Sequence, residues 1–126
     1  MKVIKDADVP RRKHGYGVVL KILLDKQEGA NNLDVGIIEI AGCSKTPTHK
    51  RDFEEVIYML EGSGSVVLET GEDFLLNKGD CMLIPPFVAH FHANKDVRPL
   101  KQLYIFAPQS GDEIQQELRD KKIIEE

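Results

Sequence analysis

His49-x-Arg51-x-x-x-Glu55 and His90-x-His92-x-Asn94 are the stretches of this chain whose residue types and spacing can do chemistry. Two imidazoles and a carboxylate suit a divalent iron, manganese, nickel, cobalt or zinc ion and leave positions open for water or substrate. Alternate residues of a strand share a face, so His49 and Arg51 project together, as do His90, His92 and Asn94. Two neighbouring strands in a barrel then aim His49 and His90 at one interior point. Glu55, just past a short kink at Asp52-Phe53-Glu54, can bring a carboxylate to it. His49, Glu55 and His90 are therefore the expected metal ligands.

The elements that must position these groups read as strands. From Tyr16 to Asp25, Val18, Leu20, Ile22 and Leu24 alternate with positions that include Lys21 and Asp25, the period of a strand with one buried face. Asp34 to Ala41 follows across Gly29-Ala30-Asn31-Asn32, a turn sequence. Further strands are predicted over Val56 to Leu60, Ser65 to Glu69, Asp73 to Leu76, Cys81 to Ile84, Ala89 to Ala93 and Lys101 to Ala107. Glu61-Gly62, Thr70-Gly71, Lys78-Gly79 and Pro85-Pro86 punctuate them, so the strands are short and the links tight. That pattern predicts an all-β barrel or sandwich. One helix is expected, over about 111–122, where Ser110-Gly111-Asp112-Glu113 matches a capping box and Ile114 and Leu118 recur at helical spacing.

A chain of 126 residues buries roughly two-thirds of its unfolded surface, enough for one core, so residues 1–126 read as a single domain. The net charge of −4 recruits neither nucleic acid nor an anionic membrane. The start carries no apolar leader and no run approaches the ~20 residues of a membrane span, which makes a cytoplasmic protein the expectation. Cys43 and Cys81 lack metal or redox spacing and are expected as reduced, partly buried thiols. His14, between Lys13 and Gly15, reads as a surface loop residue.

Taken together, Gly42, His49, Glu55 and Gly62 resemble the first motif of the cupin superfamily, and Gly79, Pro85, His90 and Asn94 resemble its second. The resemblance covers residues 42–94. It implies a double-stranded β-helix, the jelly-roll barrel, and a small monocupin that takes a divalent metal and a small organic ligand inside it. Face-to-face or strand-exchanged homodimers are common in the family, so a homodimer is the implied assembly. Two positions depart from the pattern. Phe87 stands where the second motif has a glycine, and Arg51 stands where the first has its second histidine.

Arg51 removes one of the family's usual four ligands, because a guanidinium stays protonated and cannot coordinate a cation. At ~5 Å from a divalent ion it would be repelled by about 7 kcal/mol at an effective dielectric of 20. Three arrangements resolve the conflict: Arg51 turns aside, it pairs with Glu55 in a metal-free pocket, or it holds the carboxylate or phosphate of a substrate. His92, on the inward phase beside His90, can restore a nitrogen ligand, act as general acid or base, or simply be hydrogen-bonded inside the barrel. The expected catalytic set is thus His92, Arg51 and Glu55 beside the metal, in a lyase, isomerase, decarboxylase or dioxygenase. The alternatives are a metal-free sugar-type isomerase or epimerase, and a non-catalytic small-molecule sensor.

Overall fold

The computed structural model describes residues 1–125; Glu126, the last residue of the expected 1–126 domain, lies outside the described residues. Among the described residues nine strands and one α-helix follow in chain order: β1 (Arg12–Lys13), β2 (Val18–Leu24), β3 (Asp34–Ile40), β4 (Glu54–Glu61), β5 (Gly64–Leu68), β6 (Asp73–Leu76), β7 (Cys81–Ile84), β8 (His90–Ala93), β9 (Leu100–Ala107) and α1 (Asp112–Arg119). A six-stranded sheet runs β1-β2-β3-β9-β4-β7 and a three-stranded sheet runs β6-β5-β8. All pairings between these strands are antiparallel. This is the all-β jelly roll with a short C-terminal helix that the sequence predicts.

Strand parity builds the core. On β9 the residues Leu100, Gln102, Tyr104 and Phe106 are buried while their neighbours are half exposed. Val18, Leu20 and Ile22 of β2, Ile38 and Ile40 of β3, and Ile57 and Met59 of β4 join Leu100, Tyr104 and Phe106 in one apolar cluster. Tyr104 lies flat over Gly36, where a Cβ would stand 2.2 Å from its ring carbon and hydroxyl, so only glycine permits this approach. At the tight links the backbone turns left-handed at Gly62 and Gly79, with φ of 76° and 91°. Phe87 takes φ of 65°, a left-handed conformation that glycine adopts without steric cost, at the position where the resembled second motif has a glycine.

The segment before β4 extends the smaller sheet. Lys45 bridges to Ala93 and His49 to His90, which places residues 45–49 alongside β8. Thr46 fixes that alignment, its N–H donating to the His92 carbonyl at 2.9 Å and its hydroxyl accepting from the His92 N–H at 3.0 Å. Asn94 braces the next turn by donating to the carbonyls of Ile40 and Arg98 and accepting from the Asp96 N–H.

The helix is capped differently from expectation. Gly111 is its N-cap, with no side-chain cap bond, and the Ser110 hydroxyl and N–H are both given to the buried Asp34 carboxylate. A charged acceptor outcompetes the helix's own amide. α1 is pinned by a two-bond pair between Arg119 and Asp25, at 2.9 and 2.8 Å, and by Gln115, which accepts from the Lys26 N–H. Leu118 thereby reaches the apolar cluster. The cysteines are free thiols, and both are exposed instead of partly buried, Cys81 because it falls on the outward phase of β7.

Candidate metal centre

Glu55, His90 and His92 place one ligand atom each within 4.8 Å of one another, and all three residues are buried. β4 supplies the carboxylate and β8 the imidazoles at i and i+2, so the two sheets meet at this point. His90 Nε2 lies 3.4 Å from Glu55 Oε1 and His92 Nε2 lies 3.2 Å from Glu55 Oε2. The rings of the two histidines meet edge to face with centroids 5.1 Å apart.

The tautomer of His90 is set by its surroundings. Its Nδ1 is 2.8 Å from the Val88 carbonyl, which only accepts, so Nδ1 carries the hydrogen. In the neutral ring Nε2 is then a lone pair directed toward a carboxylate, and it is buried without a hydrogen-bond partner. Two lone-pair-bearing groups facing each other in a closed interior need a cation between them, a proton or a metal ion. The carboxylate responds to the same geometry. Burial alone would raise the Glu55 carboxyl, yet the facing imidazoles hold it well below the ordinary carboxylate range. For His90, burial alone would lower the imidazole, and Glu55 with the Val88 carbonyl raises it.

Gln102 serves His92 as Val88 serves His90. Its side-chain amide is 3.2 Å from His92 Nδ1, on the inward phase of β9 and 2% exposed. An amide can present either atom. With its nitrogen forward, Nδ1 accepts and Nε2 carries the hydrogen toward Glu55; with its oxygen forward, Nδ1 donates and Nε2 is freed as a ligand. Among the described residues, the donor set of two Nε2 atoms and one carboxylate therefore fits a divalent cation.

The structure brings together Glu55 and His90, both expected as ligands, and adds His92. His49 stands outside this cluster although its backbone exchanges two hydrogen bonds with His90, at 2.7 and 2.9 Å. Its Nδ1 is turned to Arg51 Nη2 at 3.5 Å, which directs its lone pair to the guanidinium and leaves its hydrogen on Nε2. His49 and Arg51 still line the same cavity, of about 30 Å³, with Glu55, His92, Tyr104, Phe106 and Leu118. Among the described residues Arg51 and Glu55 form no ion pair. His14 also lines this cavity and is buried, against the surface position expected for it. It lies just past β1, a strand of only two residues that carries no periodic signal and that pairs with the far end of the chain. Gln102 was detectable in principle, as a polar residue on the inward phase of an otherwise apolar strand.

Comparison with known proteins completes the assignment. Residues 36–106 match the family model described as the cupin domain. The uncharacterised protein MJ1618 of Methanocaldococcus jannaschii is 44% identical over 61 residues, 48% of each chain, so this chain spans about half the length of the curated relative it matches. The polyketide cyclase RemF from Streptomyces resistomycificus superposes with a TM-score of 0.76 at 24% identity, covering 86% of this chain and 80% of that one. KdgF from Halomonas sp. gives 0.76 at 18% identity, over 90% and 98% of the two chains. At such identities these structures show the fold alone. The family match covers more than half of the chain, takes in strands of both sheets and includes every residue of the cluster: this chain belongs to the cupin family.

Proposed function

We propose that Glu55, His90 and His92 hold a divalent metal ion and that the cavity beside them takes a small anionic organic molecule, in an enzyme of the lyase, isomerase, decarboxylase or dioxygenase kind. The observation that carries this reading is His90 Nε2, a buried lone pair with no partner facing the Glu55 carboxylate. When bound, a divalent ion supplies Lewis acidity toward a ligand oxygen. The protein's own residues do the rest. Val88 and Gln102 hold the two imidazoles in ligand orientation, Arg51 offers a positive charge to an anion, and Leu118 and Phe106 exclude water from the enclosure. His49 is neutral near pH 7, since burial and the adjacent Arg51 push it down to about 4, and its Nε2–H is a donor to the ligand.

Charge supports an anionic ligand. The cavity wall carries Arg51 and Glu55, which cancel, so a divalent ion leaves two uncompensated positive charges in a closed interior. A second reading follows from the same pair of atoms. A proton between His90 and Glu55 serves as the cation in a metal-free isomerase or a ligand sensor, with His90 positively charged.

The reading includes a cytoplasmic homodimer. Its support is the outer face of the large sheet, where Leu83, Val56, Ile105 and Val35 are aligned across β7, β4, β9 and β3, with Tyr58 and Leu103 paired beside them. These outward residues are exposed or half exposed and none is charged.

Elemental analysis of protein purified without a metal-affinity column tests the metal. Near-stoichiometric metal in the parent, lost in His90→Ala and His92→Ala, is the expected result. His49→Ala separates the two ligand sets: metal is retained if Glu55, His90 and His92 hold it, and lost if His49 belongs to the set that the first motif implies. A parent that takes up no metal, even when supplied with zinc, would sink this reading in favour of the protonated one.

A further inference from the structure

Three buried side-chain atoms have no hydrogen-bond partner among the described residues: His90 Nε2, Asp34 Oδ1 and His14 Nδ1. The first is accounted for by a cation. Asp34 spends its other oxygen on Ser110, away from the residues that line the cavity. His14 is the one that lines the cavity itself, 8% exposed, outside the cluster already described. A stranded buried nitrogen costs stability, so a position that keeps one calls for a partner in the bound state.

The chain goes to some length to put His14 there. β1 pairs with β2 on one side, while on the other Lys13 donates to the Lys122 carbonyl at 2.8 Å and Ile124 donates to the Arg11 carbonyl at 2.8 Å. The Arg12 guanidinium donates to the carbonyls of Arg119 and Lys121. His14 N–H itself is given to the Val18 carbonyl at 2.9 Å. Both ends of the chain thus clamp this residue. Its ring stacks on His49 with centroids 6.3 Å apart and planes 28° apart, and His49 in turn faces Arg51. Burial, with Lys121 nearby, pushes the His14 imidazole down to about 4, so it offers one uncharged N–H near pH 7.

We propose that His14, His49 and Arg51 form a carboxylate-binding subsite beside the Glu55–His90–His92 cluster, in which Arg51 supplies the charge and His14 the outermost hydrogen bond. This rests on the anionic-ligand reading above and adds the ligand's class and the N-terminal residue that selects it. A planar carboxylate matches one guanidinium fork and flanking imidazole donors. A phosphate brings a tetrahedral group of five heavy atoms, against the planar three of a carboxylate, to a cavity of about 30 Å³.

The test uses the full chain labelled with ¹⁵N, with and without Zn²⁺, and follows the imidazole nitrogens of the four histidines as formate is added at constant ionic strength. His14 resonances should move saturably together with those of His49. His14→Phe should weaken formate binding about tenfold, and His14→Asn, which returns a donor close to Nδ1, should remain within about threefold of the parent. Zn²⁺ affinity should be unchanged in both variants, whose folding is read from their amide spectra. The proposal is overturned if formate shifts His49 and leaves His14 unmoved, if His14→Phe binds formate as the parent does, or if inorganic phosphate binds more tightly than formate. Absence of Zn²⁺ binding would refute the metal alone; the formate titration of the metal-free chain then still decides for or against the subsite by whether His14 shifts.

Discussion

Acid should expel metal from this cluster by putting a proton where the ion sits. The Val88 carbonyl occupies His90 Nδ1–H, so the second proton of an imidazolium can go only to Nε2, the atom 3.4 Å from Glu55 Oε1. Proton and metal are mutually exclusive there. The folded-state value of His90 is raised above its unfolded value near 6.5, so its contribution to the stability of the metal-free protein is fully present below about 6.5 and is lost as pH rises through the folded value. Glu55 is lowered, so its contribution is present above about 4.3 and is lost as pH falls through its folded value. His90 and Glu55 by themselves favour the metal-free protein between those two values, roughly pH 4.3 to 6.5, whereas His14 and His49, each pushed down to about 4, oppose them because their unfolded forms take up protons below about 6.5.

Metal reverses the upper limit. Below the folded value of His90, each ion bound releases one proton, so affinity falls about tenfold, or about 1.4 kcal/mol, for each unit of acidification; above it this dependence disappears. At a hundredfold excess over Kd the ion adds about 2.7 kcal/mol, which for a chain of this length raises Tm by about 10 °C. Calorimetric titration with Zn²⁺ at several pH values, in two buffers of different ionisation enthalpy, counts the proton directly. Thermal melts with and without Zn²⁺ give the stability arm. An affinity that is flat or rises on acidification from pH 7 to 5, or binding without proton release in that range, refutes the reasoning.

Gln102→Leu removes the partner of His92 Nδ1 and should lower Zn²⁺ affinity about 10- to 100-fold at an unchanged fold, measured by the same titration; unchanged affinity would show that Gln102 does not orient the ring. Asp25→Asn loosens α1 by removing the two-bond partner of Arg119 and leaving it only the longer contact to Glu28, at 3.7 Å, and urea unfolding should show a loss of about 3 kcal/mol. Burial alone would raise Asp25, but the Arg119 hydrogen bond holds it low, so the contribution is present above about 3.9 and is lost as pH falls; the variant's deficit should therefore shrink in acid.

Strand positions were legible because their cause is local. Alternation and Gly or Pro turns place β2 to β9 within a residue or two of where the sequence predicts them, and inward phase selects His90 and His92, while Glu55, expected to reach them from just past a kink, instead lies within β4. What escaped depends on partners distant in sequence. Ser110 looks like a helix cap until Asp34, 76 residues earlier, claims its hydroxyl. His14 looks like a loop residue until the strand pairing with residues 122–124 buries it. The strand that precedes it, Arg12–Lys13, has two residues and gives no period to detect, so that burial has no sequence signal at all.

The family motif names slots, whereas ligation requires a lone pair at a place, and the two diverge here for a traceable reason. Arg51 cannot be a ligand, and by turning to His49 Nδ1 it also directs away the lone pair that the first motif would offer. In the proposed site β8 supplies a replacement, because His92 is two residues beyond His90 and so shares its face, with Gln102 behind it as Val88 is behind His90. The cluster then takes its carboxylate from the six-stranded sheet and both imidazoles from the three-stranded one. Whatever cation sits there ties the two sheets together. His49 and Arg51, outside the cluster, line the cavity with a donor and a charge to give, which is what the proposed anionic ligand beside a divalent ion would require.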